Sequence, residues 1–270
     1  MSYSDINSSL AWTLAPAAVI VGSLFTLFLY FFGKVAIYGM PHTQRIEEKG
    51  GSFFLSKFFM EYWVWITNPF QKALIKVRVS PDVITVVGTV VAGSSGIAFH
   101  YGYFVLGGWI MIFGATFDML DGAVARALGI SSRAGAFLDS TLDRYGELLT
   151  FAGLISYYSH SPFVLMVFLA VIGSMMVSYT RARAEGVGVE DAKMGNMQRP
   201  ERILYVGLGT AFSPMVANIL EPHAAKPDFH LAMIAITVVA IFSNATAIRR
   251  LWHAYTTLRA REREGRTAGK

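Results

Sequence analysis

The chain has 270 residues, of which 54% are hydrophobic and only 15% are charged. Because soluble domains usually carry about 25% charged residues, this composition excludes an ordinary soluble protein and indicates a membrane protein. The sequence contains no cysteine, which excludes disulfides, thiolate catalysis and zinc sites with cysteine ligands. Membrane topology and anionic lipid explain the net charge of +5, and we expect no nucleic-acid partner.

Five long stretches of the sequence lack charged side chains, and each is long enough for one transmembrane helix or for two. Two of them contain turn-like residues, at 100–102 and at 159–162, so each of these two predicts a pair of spans. Strands with open edges would leave amide groups unsatisfied in lipid, which means that the spans must be helices. We predict an all-α, polytopic membrane bundle with seven spans, at 12–33, 82–100, 104–126, 136–157, 163–183, 202–220 and 230–249.

The basic residues are distributed unequally across these spans. With the spans alternating in direction, 22 of the 23 Lys and Arg residues fall on one side and only Lys226 falls on the other. Basic loops remain in the cytoplasm. We therefore expect a multi-pass protein of the inner (cytoplasmic) membrane, with its C-terminus in the cytoplasm and its N-terminus outside. The first span is long and has no basic residue before it, which predicts an uncleaved anchor.

The sequence divides into four parts by composition. Residues 53–79 mix aromatic residues with lysines, and a proline at position 69 interrupts them. This mixture predicts one or two amphipathic helices in the cytoplasmic interface, or else a helix that packs on the bundle. The four parts are a membrane anchor at 1–40, an interfacial connector at 41–80, a membrane domain at 81–250 and a basic cytoplasmic tail at 251–270.

Four aspartates lie in a predicted hairpin of two spans. Asp118 and Asp121 share a helix face because they are three residues apart, and Asp139 and Asp143 share a face of the next helix. The turn at 128–134 places both pairs near the same membrane surface. Charged groups inside a span persist where they pair, face water or serve chemistry. We expect the four carboxylates to converge and, because they would otherwise repel one another, to hold Mg²⁺, Mn²⁺ or Ca²⁺.

The spacing of these aspartates among small and basic residues resembles the signature of the CDP-alcohol phosphotransferases, also called CDP-alcohol phosphatidyltransferases. The signature positions are Asp118, Asp121, Gly122, Ala125, Arg126, Gly135, Asp139 and Asp143. The resemblance covers about residues 55–250 and implies a six-helix core, an active site at the cytoplasmic face and a homodimer. Such enzymes transfer a substituted phosphoryl group from a CDP-linked donor to an alcohol and release CMP. The span at 12–33 would be an additional helix outside this core.

The same resemblance implies roles for individual residues. The metal ligands would be Asp118, Asp121, Asp139 and Asp143. Asp143 would also be the catalytic base that takes the proton of the attacking hydroxyl. The residues that bind the CDP-lipid donor would be Asp82, Thr85, Gly122, Arg126 and Ser132.

Two basic runs, 178–185 and 198–202, indicate the acceptor, because they resemble runs in the bacterial phosphatidylinositol-phosphate synthases. Ordinary basic flanking of spans is the alternative explanation for them. Arg181 stands where the resemblance leads us to expect lysine, so the choice of acceptor stays open. By this resemblance, inositol phosphate would be bound by Ser178, Arg181, Arg199 and Arg202.

We therefore predict an integral membrane enzyme of phospholipid biosynthesis that transfers a phosphatidyl group from CDP-diacylglycerol to an alcohol phosphate. The acceptor would be inositol phosphate, or alternatively glycerol phosphate or another polyol phosphate, and the cofactor would be Mg²⁺ or Mn²⁺. An ion or proton transporter is the alternative from a different class, because intramembrane acids also mark ion pathways. The outer halves of the spans, such as 105–112 and 163–172, are mainly apolar, which favours the enzyme.

Overall fold

The computed structural model describes residues 10–41, 57–189, 195, 197–221, 224 and 226–268. Within these residues every regular element is an α-helix, which confirms the predicted all-α bundle. The helices are α1 (Leu10–Tyr38), α2 (Lys57–Val77), α3 (Pro81–His100), α4 (Phe104–Ala127), α5 (Arg133–Tyr157), α6 (Val164–Gly186), α7 (Arg199–Leu220) and α8 (His230–Ala268).

A helix lies at each of the seven predicted spans. Within the described part of the chain, six helices are long and apolar enough to cross a membrane, namely α1, α3, α4, α6, α7 and α8. The chain is therefore a multi-pass membrane protein. α5 has 25 residues, which is sufficient for a span, but it is too polar to belong to this group. Its charged residues all lie in its first 15 positions: Arg133, Asp139, Asp143, Arg144 and Glu147.

Six of the helices form a ring in which each packs against two neighbours, in the order α5, α3, α4, α7, α8 and α6. Two of the contacts bring helix backbones together at glycines. A Cβ atom on Gly153 of α5 would overlap the carbonyl oxygen of Gly96 on α3, and one on Gly108 of α4 would overlap that of Gly207 on α7. Small residues allow membrane helices this close approach. The charged half of α5 is thereby held at the end of the ring where α3 and α7 begin.

The opposite end of the ring is closed by aromatic packing. Phe104 has no exposed surface and stacks on Phe229, with ring centroids 4.1 Å apart. Tyr157 and Tyr158 pack edge-on against Phe104 and donate hydrogen bonds to the carbonyl oxygens of Pro227 and Asp228. These contacts join α4, the end of α5 and the start of α8.

The first two helices lie outside the ring. α2 is one continuous helix through Pro69, and it packs on both α1 and α4. Its Tyr62 hydroxyl donates to the carbonyl oxygen of Leu24, and Tyr62 packs against Phe31 of α1. The structure therefore shows a helix packed on its neighbours, which is one of the two arrangements that the sequence left open for this region.

The predicted boundary at residue 250 does not coincide with the end of a helix. The helix α8 continues to Ala268, through most of the segment predicted as a tail. The first half of the predicted connector, 42–56, and part of the loop before α7, 190–194, lie outside the described residues.

Candidate active site

Three of the four aspartates meet at the charged end of the ring. Asp118 of α4 and Asp139 and Asp143 of α5 each offer a carboxylate oxygen within 4.8 Å of the other two. The side chains of Asp118 and Asp143 are 19% and 12% exposed, so the group can be reached from solvent. We call Asp118, Asp139 and Asp143 the carboxylate trio. The turn between α4 and α5 brings the two helices together because it is only five residues long.

Asp121 lies one turn along α4 and has a different environment from the trio. Its carboxylate accepts a hydrogen bond from the hydroxyl of Thr85 on α3 at 2.6 Å and another from the backbone N–H of Gly122. Asp121 is only 4% exposed. It interacts electrostatically with Asp118 and Asp139, although it is not a member of the trio. Three of the four carboxylates therefore converge, and the fourth, Asp121, lies next to them and is bonded to Thr85.

Arg199, the first residue of α7, lies between carboxylates from two other helices. Its guanidinium donates to Asp118 and lies 2.8 Å from the carboxylate of Asp143. Arg144 adds a second positive charge 3.5 Å from Asp143. The sequence analysis assigned Arg199 to the acceptor site, and the structure places it 81 residues along the chain from Asp118 but in direct contact with it. An acceptor held by Arg199 would therefore lie beside the trio.

Several residues predicted to bind the donor surround the same end of the ring. Ser132 caps α5 by accepting a hydrogen bond from the backbone N–H of Gly135 at 3.0 Å. A Cβ atom on Gly135 would lie 3.6 Å from the carboxylate of Asp82, so the starts of α3 and α5 are adjacent. Thr85 is buried and directs its hydroxyl to Asp121. In this arrangement Thr85 orients a carboxylate, whereas Asp82 and Ser132 are exposed.

Gly122 and Arg126 lie on one face of α4, one turn apart. Arg126 is exposed, and its guanidinium folds back so that a Cβ atom on Gly122 would lie 3.2 Å from it. The missing side chain of Gly122 thus leaves room for the Arg126 guanidinium. A planar cation in this position is well suited to phosphate oxygens.

The predicted acceptor residues do not share one environment. Arg181 is exposed and pairs with Glu185 at 2.9 Å, and Ser178 is half-buried one turn earlier on α6. Arg202, by contrast, is 1% exposed and donates two hydrogen bonds, of 2.8 and 3.0 Å, to Glu147. The structure therefore brings Arg199 to the trio, leaves Arg181 at the surface and encloses Arg202 beneath Arg199.

Sequence reasoning missed Glu147 and Arg144 as parts of this site. Both lie on the charged half of α5, and Glu147 continues the face of Asp143 because it is four residues further along. An acidic residue one turn beyond a predicted ligand, opposite a basic residue in another span, was the signal that could have identified Glu147.

The donor set of the trio fits a hard divalent cation. It offers only carboxylate oxygens, which are the ligands that Mg²⁺ and Mn²⁺ prefer, and they lie close enough together to share one ion. The residues that would hold it are Asp118, Asp139 and Asp143, with Asp121 next to them. An oxygen-only site of this kind indicates dependence on a divalent metal.

Comparison with known proteins agrees with this geometry. The family model described as CDP-alcohol phosphatidyltransferase matches residues 78–257, which contain the trio and the helix ring except for the last residues of α8. The chain belongs to this family. The helices α1 and α2 lie before the matched region.

Two relatives are similar to this chain over most of their length. The chain is 38% identical to the phosphatidylinositol phosphate synthase of Mycobacteroides abscessus over 202 residues, covering 73% of this chain and 86% of that protein. It is 32% identical to the enzyme of the same name from Cutibacterium acnes, covering 71% and 96% of the two chains.

Two crystal structures of the Mycobacterium tuberculosis phosphatidylinositol phosphate synthase are also similar, each with a TM-score of 0.61 and 31% identity. The structure with CDP-DAG bound is matched over 71% of this chain and 94% of that chain. The structure in complex with manganese and citrate is matched over 70% and 89%. These matches confirm the predicted family and the predicted membrane fold.

Proposed function

We propose that this protein is a phosphatidylinositol phosphate synthase, which transfers the phosphatidyl group of CDP-diacylglycerol to the hydroxyl of inositol phosphate and releases CMP. The observation that carries the proposal is the position of Arg199, a cation suited to an anionic acceptor, in contact with two carboxylates of the trio. The relatives named for this activity, and the related structure with CDP-DAG bound, support the donor.

The donor would bind where α3, α4 and α5 meet. Asp82 and Ser132 at the helix starts, and Arg126 above Gly122, surround this region and would contact the CDP portion. Thr85 would hold Asp121 in place through the 2.6 Å hydrogen bond rather than contact the nucleotide. The diacylglycerol chains would remain in the lipid around the ring, because the helix faces there are apolar.

The metal would be held by Asp118, Asp139 and Asp143, with Asp121 next to them, and Mg²⁺ is the ion that we propose. When bound, such an ion neutralises the pyrophosphate and stabilises the leaving phosphate of CMP. Asp143 would take the proton of the attacking hydroxyl, because it lies beside both the metal ligands and Arg199.

Arg199 would connect acceptor binding to the action of the base. In the structure its guanidinium pairs with Asp143 and Asp118, and a carboxylate held in this way is a weaker proton acceptor. A phosphate on the acceptor offers the guanidinium a doubly charged partner in bidentate geometry. When Arg199 turns to this phosphate, the Asp143 carboxylate is released next to the hydroxyl. An acceptor without phosphate would leave Asp143 paired.

The test is CMP release by the purified full-length protein with CDP-diacylglycerol and a panel of acceptors, in the presence of Mg²⁺ or Mn²⁺. We expect release with inositol phosphate and little or none with free inositol. Release with glycerol phosphate or another polyol phosphate instead would contradict the acceptor but keep the donor and the reaction class. No release with any acceptor, together with ion flux in vesicles, would contradict the enzyme and favour a transporter. Removal of divalent metal with EDTA should abolish release, and added Mg²⁺ should restore it.

We also propose that the protein spans the inner membrane with the trio at the cytoplasmic face, the N-terminus outside and the C-terminus in the cytoplasm. The basic residues support this orientation. Because the chain has no cysteine, Ser131→Cys in the turn before α5 and Ser159→Cys in the turn after it form a matched pair for labelling in intact cells. Only the Ser159→Cys variant, at the outer turn, should react with an impermeant thiol reagent. Labelling of the Ser131→Cys variant instead would reverse the topology.

The family resemblance further leads us to propose a homodimer. Native mass spectrometry of the protein in detergent would measure its mass, and a mass of one chain would contradict this part of the proposal.

A further inference from the structure

Glu147 and Arg202 form a buried ion pair below the site that the proposed reaction does not use directly. Their side chains are 4% and 1% exposed, and two hydrogen bonds join the carboxylate to the guanidinium in bidentate geometry. Burying two charges is costly, and such a pair often stabilises a protein no better than apolar residues of the same volume would. A function other than stability would account for keeping it.

The pair lies one helical turn from the contact between Arg199 and Asp143. Glu147 follows Asp143 by four residues on α5, and Arg202 follows Arg199 by three residues on α7. The two helices are therefore joined by two successive ion pairs, one in the proposed catalytic site and one buried beneath it. The α5 and α7 backbones are not neighbours in the ring, and these ion pairs connect the two helices at the charged end.

The surroundings of the pair make it unsuitable as a direct acceptor contact. A cavity of about 10 Å³ lies between Glu147 and Arg199, which is room for about one water molecule. Arg202 itself is only 1% exposed, which leaves no opening through which a sugar phosphate could reach it. Glu147 instead interacts electrostatically with Arg144, Arg199 and Arg202 together, so its single carboxylate compensates several cations around the site.

From these observations we infer that Glu147 and Arg202 are positioning residues. They fix the first turn of α7 against α5 and so place the guanidinium of Arg199 within reach of both Asp143 and the acceptor phosphate. This inference rests on the proposed function, and it replaces the sequence-based role of Arg202 as an acceptor ligand. An error of about 1 Å in the position of such a group can reduce a rate about a hundredfold.

The test compares three forms of the full-length protein: the wild type, the neutral pair Glu147→Gln/Arg202→Met and the reversed pair Glu147→Arg/Arg202→Glu. We measure the melting temperature, the KM for inositol phosphate, the KM for CDP-diacylglycerol, and kcat. The neutral pair should fold and keep its KM for the donor within about threefold, while its KM for the acceptor rises about tenfold or more. The reversed pair should recover part of this loss, because it restores the link between α5 and α7 but removes the carboxylate that compensates Arg144 and Arg199.

Two results would overturn the inference. An unchanged acceptor KM in the neutral pair would make Glu147 and Arg202 structural only. A reversed pair that folds but is as deficient as the neutral pair would contradict positioning through the link between α5 and α7.

A conservative variant keeps the test decisive if either double variant fails to fold. Glu147→Asp retains the charge but withdraws the carboxylate by one methylene, and we expect the acceptor KM to rise about fivefold with the donor KM unchanged. An unchanged acceptor KM would refute positioning. The acceptor used by the wild type separates this inference from the proposed function. If the wild type releases CMP only with another acceptor, the proposed acceptor is wrong, and the variants are then compared with the acceptor that the wild type uses.

Discussion

The two ends of the helix ring contrast sharply in what holds them together. At one end, α4, α5 and α7 meet through charged side chains: the carboxylate trio, Arg199 and the buried pair below it. At the other end, α4, α5 and α8 meet through Phe104, the tyrosines that close α5, and Phe229 just before α8. The apolar end gains free energy from burial and needs no ligand. The charged end contains like charges at short range and gains from a bound cation and an anionic substrate.

This contrast indicates that stability and chemistry are separated along the same helices. Residues at the aromatic end should affect folding and leave the rate per folded molecule unchanged. Residues at the charged end should affect the rate and leave folding largely intact. Variants at the two ends, and between them, test whether this division holds.

The strongest effect that we expect is on the rate, at the charged end. Asp143→Asn keeps the size of the side chain but removes the proposed base, so CMP release should fall about 10²- to 10⁴-fold, while binding of CDP-diacylglycerol changes little. The measurement is single-turnover CMP release together with donor affinity. The matched control is Asp228→Asn, an exposed carboxylate at the other end, which should be as active as the wild type. Equal loss of donor binding and turnover would contradict the role of Asp143 as a base.

The next effect is on stability, at the aromatic end. Phe104→Ala removes a ring with no exposed surface and leaves a cavity, which should reduce the free energy of unfolding by about 3–5 kcal/mol. Denaturant or thermal unfolding in detergent measures this loss, and activity is normalised to the folded fraction. Phe168→Ala serves as the control, since that ring is 46% exposed on α6 and should cost far less. A large fall in the normalised rate would show that the two ends are not independent.

A smaller effect is expected between the ends, where α3 crosses α5. Gly153→Ala would place a methyl group against the backbone of Gly96, so the two helices must separate, at a cost of about 1–3 kcal/mol. Because α5 also carries Asp143, the normalised rate should fall as well. Gly22→Ala is the matched control, because a Cβ atom there meets no atom within 4 Å. If Gly153→Ala lowers the stability but leaves the normalised rate unchanged, contacts at the charged end determine the position of α5, and the α3–α5 contact does not.

The weakest effect is expected from the one basic residue predicted on the outer side. Lys226 donates a hydrogen bond of 2.6 Å to the carbonyl oxygen of Tyr157, and its ammonium lies 4.4 Å from the centroid of that ring. Lys226→Met should reduce the free energy of unfolding by about 1 kcal/mol and leave CMP release unchanged. The exposed Lys76→Met of α2 is the comparison. Equal melting temperatures for the Lys226→Met and Lys76→Met variants would show that Lys226 does not stabilise this end of the ring.

The position of the helices could be predicted from the sequence because each membrane span must satisfy its own backbone hydrogen bonds. A chain with charge-free runs of this length has few alternatives to helices, and a helix lies at every predicted span. The aspartate pairs on α4 and α5 followed from helical periodicity and the short turn between them. The polarity of α5 was the exception: its first half is too charged for an ordinary span and is placed by its neighbours in the ring.

The all-helical fold, the family and the acidic hairpin could all be read from the amino-acid sequence, because they depend on local spacing and hydropathy. Which side chains meet could be seen only in the folded molecule. Folding separates Asp121, held by Thr85, from the trio, brings Arg199 into contact with Asp118 and Asp143, and encloses Arg202 against Glu147. These contacts join residues 36 to 81 positions apart in the chain. Which residues become partners depends on how the helices rotate and cross. Glycine contacts between helix backbones determine that geometry.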